Sequence, residues 1–172
     1  LIRRLLAFAK QQPLDLRAAD LNSLVTATHP LVAQAAGARI ELVLALAPGL
    51  PAVLVDETQF EMALLNLVVN ARDALSGRGR IVLRTHAALP GGPCLTVEDA
   101  GPGMSEAIRR RALEPFFSTK GESGTGLGLP QVYGFMRQIG GSLEIDSAPG
   151  RGTRVHLRFP RAPALTAVNA GA

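Results

Sequence analysis

The sequence predicts a single α/β domain, and three observations carry that expectation. The 172 residues, 47% of them hydrophobic, suffice for one packed core but not for two large ones. Segments with helical spacing of apolar residues are interspersed along the chain with short apolar runs of strand length. Near the end, Val155, Leu157 and Phe159 alternate with Arg154, His156 and Arg158, so one face of that strand packs and the other is wet. The sheet is therefore expected to be covered on one side only.

In order along the chain, Ile2, Leu5, Leu6 and Ala9 give the first dozen residues an amphipathic helical spacing that Pro13 ends. A second helix is predicted from an Asp20 N-cap toward Gly37 through Leu21, Leu24, Val25, Leu31, Val32 and Ala35, kinked at Pro30. Two short strands follow, from Ile40 to Ala47 and from Ala52 to Val55. Asp56 caps a third helix that runs through Leu75 and stops at Ser76-Gly77. Strands from Arg80 to Ala88 and from Cys94 to Glu98 form a hairpin around the Pro90–Pro93 turn, with Asp99 where the second one stops. Ala100 to Gly128 reads as a glycine-punctuated loop, of a length that usually means function. A helix from Gly128 to Ile139 and two strands, Ser142 to Asp146 and Thr153 to Phe159, complete the domain.

Composition excludes several classes of protein. With 19% charged residues, 18 Gly and 12 Pro, the chain is neither disordered nor collagen-like. No uninterrupted apolar run reaches about 18 residues, and Arg3 and Arg4 interrupt the first segment, so neither a membrane span nor a signal peptide is expected. Cys94 has no second thiol with which to form a disulfide or a zinc site, which suits a reducing, cytoplasmic compartment. The net charge of +4 is scattered and aromatics are only 4%, so no stacking platform for nucleic acid emerges. Lys10 and Lys120 are the only lysines, which makes Lys120 conspicuous.

Three motifs suggest chemistry. In Met62 to Ala71 the only polar side chains are Asn66 and Asn70; at about 100° per residue they and Asp73 fall within roughly 60° of one another, opposite an apolar arc. Carboxamides there cost free energy unless something satisfies them, either backbone carbonyls of a neighbouring loop or an ordered ligand or metal. Asp99-Ala100-Gly101-Pro102-Gly103 places one carboxylate at a strand end, where it suits an exocyclic amine such as that of adenine, or serves as an ordinary turn residue. Gly124-Thr125-Gly126-Leu127-Gly128-Leu129 leads into a helix, so its amides can converge on phosphate oxygens. It matches neither the standard phosphate loop nor the dinucleotide fingerprint. Lys120 can neutralise a terminal phosphate, and Phe116-Phe117 on a polar loop suggests a docking anchor, or else local packing.

Taken in order, Asn66-x-x-x-Asn70-Ala71-x-Asp73-Ala74, Asp99-x-Gly101-x-Gly103, Glu114-Pro115-Phe116-Phe117 and Gly124-Thr125-Gly126-Leu127-Gly128-Leu129 resemble the N, G1, F and G2 boxes of the catalytic ATP-binding domain of sensor histidine kinases. The superfamily also includes type II topoisomerase, mismatch-repair and chaperone ATPases. The resemblance implies a two-layer α/β sandwich of the Bergerat type, a mixed sheet backing about three helices, with ATP between the Asn-bearing helix and a mobile lid at about 104–124. It implies residues 1–13 as the end of a dimerisation helix, 14–20 as a linker, 21–160 as the catalytic domain and 161–172 as a disordered tail. It further implies Mg²⁺ on Asn70, Asn66 beside the phosphates and Asp99 on the adenine amine with help from Thr153. The remaining expected ATP contacts are Asp73, Gly101, Gly103, Met104, Phe117, Thr119, Lys120 and Gly124 to Leu129.

The superfamily's hydrolases carry a water-activating glutamate where this chain has Asn66, and a carboxamide cannot take a proton at neutral pH. Transfer of the γ-phosphoryl group is thus favoured over hydrolysis. None of His29, His86 or His156 stands in the family's phosphoacceptor pattern, so the acceptor histidine is expected upstream, in a dimerisation domain of a longer chain, with a response-regulator receiver domain as the next partner. The fragment itself is expected to touch no membrane. The rival readings are a superfamily ATPase or serine-directed protein kinase, and a non-catalytic nucleotide-sensing module that docks a partner through Phe116, Phe117 and Arg109 to Arg111.

Overall fold

The computed structural model describes residues 13–88, 91–119, 121 and 124–163. The expected helix in the first dozen residues, Lys120 and the tail from 164 onward lie outside them. The described elements are β1 (Arg17–Ala19), α1 (Leu21–Ala36), β2 (Ile40–Leu46), β3 (Val53–Val55), α2 (Glu57–Ala74), β4 (Gly79–Ala87), β5 (Pro93–Asp99), α3 (Glu106–Arg111), α4 (Gly128–Gln138), β6 (Ser142–Ser147) and β7 (Thr153–Arg158).

Five strands form a mixed sheet in the order β2-β4-β5-β7-β6, in which β2 and β4 run parallel and every other pair antiparallel. Helix α2 packs on β4 and β5 in the middle of the layer, with α1 on one side of it and α4 on the other. Both expected caps form: Asp20 accepts from the Ser23 amide at 2.8 Å and Asp56 from the Gln59 amide at 2.9 Å. Between the layers, Leu21, Val25, Phe60, Leu64 and Met136 meet Ile81, Leu83, Leu95 and Leu157 in one core. The Phe60 and Phe159 rings lie 5.8 Å apart within it.

The other face of the sheet is polar, as the alternation in β7 requires. Arg154 pairs with Glu98 at 3.1 Å, Arg158 with Glu144 at 3.2 Å, and Thr96 Oγ1 with His156 Nδ1 at 2.8 Å. No helix among the described residues is long and apolar enough to cross a membrane.

The structure adds detail to four expectations. The 14–20 segment, expected as a linker, carries β1, which pairs antiparallel with β3, and the Asp15 amide donates to Asp56 Oδ2 at 2.9 Å. Of the expected tail only residues 161–163 are described, and there the Ala162 amide donates to the Ala52 carbonyl at 2.8 Å. The helices number four among the described residues, because the long glycine-punctuated segment contains α3, capped by Ser105. Helix α1 includes Pro30, where the kink is expected and where an interior proline costs about 3 kcal/mol, while Thr28, Val32 and Ala36 around it are buried.

Candidate functional site

A cavity of about 600 Å³ opens between α2, the inner faces of β5 and β7, and the 102–130 segment. Of the residues singled out from sequence, Asn66, Asn70, Asp73, Asp99, Gly103, Met104, Phe117, Thr119, Gly124, Thr125, Gly126, Gly128, Leu129 and Thr153 line it. Gly101 and Leu127 are not part of the lining, and Lys120 falls outside the described residues.

The two ends of this cavity differ in chemistry. At one end, Asp99 terminates β5 and is only 7% exposed. Its Oδ1 accepts from the Gly101 amide at 2.8 Å. Burial pushes the carboxyl above its ordinary pKa, opposed by the Gly101 and Thr153 amides. Val97 and Val155 provide apolar floor beside it, and Leu67, Ile108 and Ala112 add apolar lining. These positions escaped the sequence reading. Val97 and Val155 were recoverable, since each lies two residues from Asp99 or Thr153 on the same strand face.

At the other end, α2 presents Asn66 and Asn70 to the start of α4. A Cβ built on Gly128 would lie 3.7 Å from both Asn66 Oδ1 and Asn70 Nδ2, and Asn66 Nδ2 is 3.5 Å from Gln131 Oε1. The N-cap of α4, Leu127, offers no side-chain acceptor, and Pro130 has no N–H. The amides of Gly128 and Leu129 thus sit at the positive end of the helix dipole, a natural place for an anion. Arg72 forks between Asp73 Oδ1 at 2.7 Å and the Ala35 carbonyl at 2.9 Å, fixing Asp73 at the rim while tying α2 to the end of α1.

Glycine is needed here for contacts within the chain. Gly103 has φ +71°, and a Cβ on it would fall 2.0 Å from the Ala148 carbonyl oxygen. The segment that begins the expected lid is thus packed backbone to backbone on the β6–β7 turn, where the Gly150 amide also donates to the Pro102 carbonyl at 2.7 Å. Gly126, at φ +63°, is pressed against the main chain of Phe116 and Phe117, and the Phe116 amide donates to its carbonyl at 2.9 Å. That contact holds Phe116 at φ +66° and separates two side chains that the sequence treats alike. Phe116 is 55% exposed, whereas Phe117 lines the cavity beneath the Arg111 guanidinium, 4.2 Å from its ring. Arg110 and Arg111 pair on the surface with Glu106 and Glu114, as a solvated helix face does.

One neighbour of the cavity lining left no signal in the sequence. Ser147, the last residue of β6, accepts from the Met104 amide at 2.9 Å, donates to the Gly152 carbonyl at 2.9 Å and lies 2.9 Å from Thr153 Oγ1. A cavity with an acidic, apolar-floored end and an amide-lined end suits a nucleotide. Residues 55–163 match the family model described as histidine kinase-, DNA gyrase B- and HSP90-like ATPase. The chain belongs to this ATPase family.

Within the family, the relatives it resembles are sensor histidine kinases. The chain is 38% identical over 176 residues to the sensor kinase CckA of Brucella abortus (strain 2308), covering 94% of this chain and 19% of that protein. It is 33% identical over 164 residues to the signal transduction histidine-protein kinase AtoS of Escherichia coli (strain K12), covering 94% of this chain and 27% of the relative. Among solved structures, full-length ShkA in complex with AMPPNP superposes with a TM-score of 0.78 at 28% identity, covering 94% of this chain and 35% of that one. The mycobacterial sensor histidine kinase MprB gives a TM-score of 0.73 at 28% identity, covering 86% of this chain and 99% of that one. The mixed sheet and its helices are those of a histidine kinase catalytic domain.

Proposed function

We propose that this ATPase-family domain binds ATP with Mg²⁺ in the cavity between α2 and the 104–124 lid, and donates the γ-phosphoryl group to a histidine of a dimerisation domain upstream in a longer sensor kinase. The observation that carries the reading is the pairing of a buried carboxylate, Asp99, at one end of the cavity with Asn66, Asn70 and the uncapped start of α4 at the other. A carboxylate accepts from an exocyclic amine and repels a ring carbonyl, which favours adenine over guanine. The amides of Gly128 and Leu129, with Lys120, hold the phosphates.

The residues present fit a magnesium ion. Mg²⁺ takes hard oxygen ligands, usually one or two from the protein with the remainder from phosphates and water, and the carboxamide oxygen of Asn70 is such a donor, with Asn66 beside the phosphates. When bound, it would supply charge neutralisation at the phosphates.

Phosphoryl transfer demands positioning and charge compensation more than covalent help from the protein. Asn66 cannot act as a base toward water, which disfavours hydrolysis. The exposed Phe116 on the lid would contact the dimerisation domain, and a receiver domain would take the phosphoryl group onward. The proposed compartment is the cytoplasm.

The test extends the chain upstream to include the dimerisation helices and incubates it with γ-labelled ATP. Label that is acid-labile and base-stable supports the reading. Steady release of phosphate, or acid-stable label on serine, overturns it.

A further inference from the structure

We propose that Ser147 is a positioning residue for base recognition: its hydroxyl dictates that Thr153 faces the cavity as a hydrogen-bond acceptor, and pins the root of the lid with the same atom. The inference rests on the ATP reading above and extends it to a residue that does not line the cavity.

A serine hydroxyl has one proton to give and two lone pairs to receive with. The Gly152 carbonyl can only accept, so the Ser147 proton is committed to it at 2.9 Å. The Met104 amide can only donate, so it occupies one lone pair at 2.9 Å. The contact left, 2.9 Å to Thr153 Oγ1, must then run from Thr153 to Ser147, because Ser147 has no second proton. With its own proton spent backwards, Thr153 shows the cavity lone pairs alone.

Asp99 lies directly across the strand pair from Thr153 and, ionised, also only accepts. The two therefore form an acceptor-only edge. That edge suits an exocyclic amine with two N–H groups, or a water that donates to both, and is mismatched to the carbonyl of guanine. A free threonine hydroxyl would be indifferent, since it can turn to donate as readily as to accept. Ser147 removes that freedom.

Met104 ties the same hydroxyl to the lid. Immediately before it, Gly103 is pressed on the Ala148 carbonyl and Pro102 receives the Gly150 amide. The 102–104 segment is thus fastened to the β6–β7 turn at three adjacent residues, and Ser147 supplies the fastening nearest the lid.

The experiment measures Kd for ATP and for GTP on the chain by calorimetric titration, in wild type, Ser147→Ala, Ser147→Thr, Thr153→Val and the Ser147→Ala/Thr153→Val double variant. In Ser147→Ala the Thr153 proton is released, and the preference for ATP over GTP is expected to fall about tenfold, the worth of one hydrogen bond of ~1.4 kcal/mol. Ser147→Thr keeps the hydroxyl and the preference. In the Thr153→Val background, adding Ser147→Ala leaves the ratio unchanged, because the effect passes through Thr153. Amide exchange at Met104 accelerates in Ser147→Ala and not in Ser147→Thr.

Should Ser147→Ala not fold, the near-isosteric Ser147→Cys, whose thiol is a poor acceptor, carries the same expected loss. If ATP and GTP weaken in parallel, so that the ratio holds, Ser147 is merely structural and the proposal fails while the ATP reading stands. If wild type itself shows no preference for ATP, the ATP reading fails and this proposal with it.

Discussion

Replacing Asp99 with Asn separates what the site needs for binding from what the fold needs for stability. The carboxylate is 7% exposed, and its Oδ1 holds the Gly101 amide at 2.8 Å, a bond that a carboxamide oxygen can keep. What changes is the other oxygen: an acceptor becomes an NH₂ donor, and the charge disappears. A hydrogen bond to a charged group is worth about 1.5–3 kcal/mol, so ATP affinity should fall roughly 10- to 150-fold. GTP should not lose in parallel, because the new NH₂ can donate to the guanine carbonyl. Stability should respond in the opposite sense. Burial raises the Asp99 pKa above that of the unfolded chain, so the ionised carboxylate is a cost to the native state at neutral pH. The unliganded Asp99→Asn variant should therefore melt no lower than wild type at pH 7. As pH falls through the raised pKa, the native state takes up its proton before the unfolded state does, and wild type gains on the variant. Titration calorimetry for both nucleotides and melting curves across pH read these effects. If ATP binding stays within about twofold of wild type, or falls equally with GTP, the assignment of Asp99 as the base-reading group is wrong.

Other outcomes follow from single contacts. Gly103→Ala combines a positive φ, worth roughly 1–2 kcal/mol, with a Cβ placed 2.0 Å from the Ala148 oxygen; its melting temperature should drop by several degrees and its nucleotide affinity with it. Asn70→Ala should remove the magnesium-dependent part of ATP affinity with little change in melting temperature, and titrations with and without EDTA test it. Among the described residues His86 Nδ1 is buried without a hydrogen-bond partner, and burial, followed by His156 and Arg158, holds its pKa below the ordinary histidine range. The unfolded chain then binds its proton more readily, so stability is lost as pH falls from above that range. His86→Leu should flatten this part of the slope between about pH 7.5 and 5.5, measured by thermal melts.

The fold was legible wherever one segment carried its own instructions. Asp20 and Asp56 announce the starts of α1 and α2 because an N-cap is satisfied three residues away. The alternation in β7 set its two faces, and the apolar arc around Asn66 and Asn70 set which side of α2 would be buried. Strand β1 gave no such signal: Arg17–Ala19 is too short to show a period, and its hydrogen-bond partners come from β3. The short helix α3 hid in a polar stretch where only the Ser105 cap marked its start.

At the site, the sequence by itself determined which chemical groups would be present, since Asn66, Asn70, Asp99 and the glycines are recognisable by type and spacing. Tertiary structure alone decided how they are used. Two adjacent phenylalanines parted, one outward and one into the cavity, because Gly126 packs against the backbone between them. Ser147 acquired its hydrogen bonds from Met104, Gly152 and Thr153, of which Met104 is far from it in sequence. Composition and periodicity fix what a residue can donate or accept, whereas the direction in which a hydroxyl spends its single proton depends on neighbours that only folding brings within 3 Å.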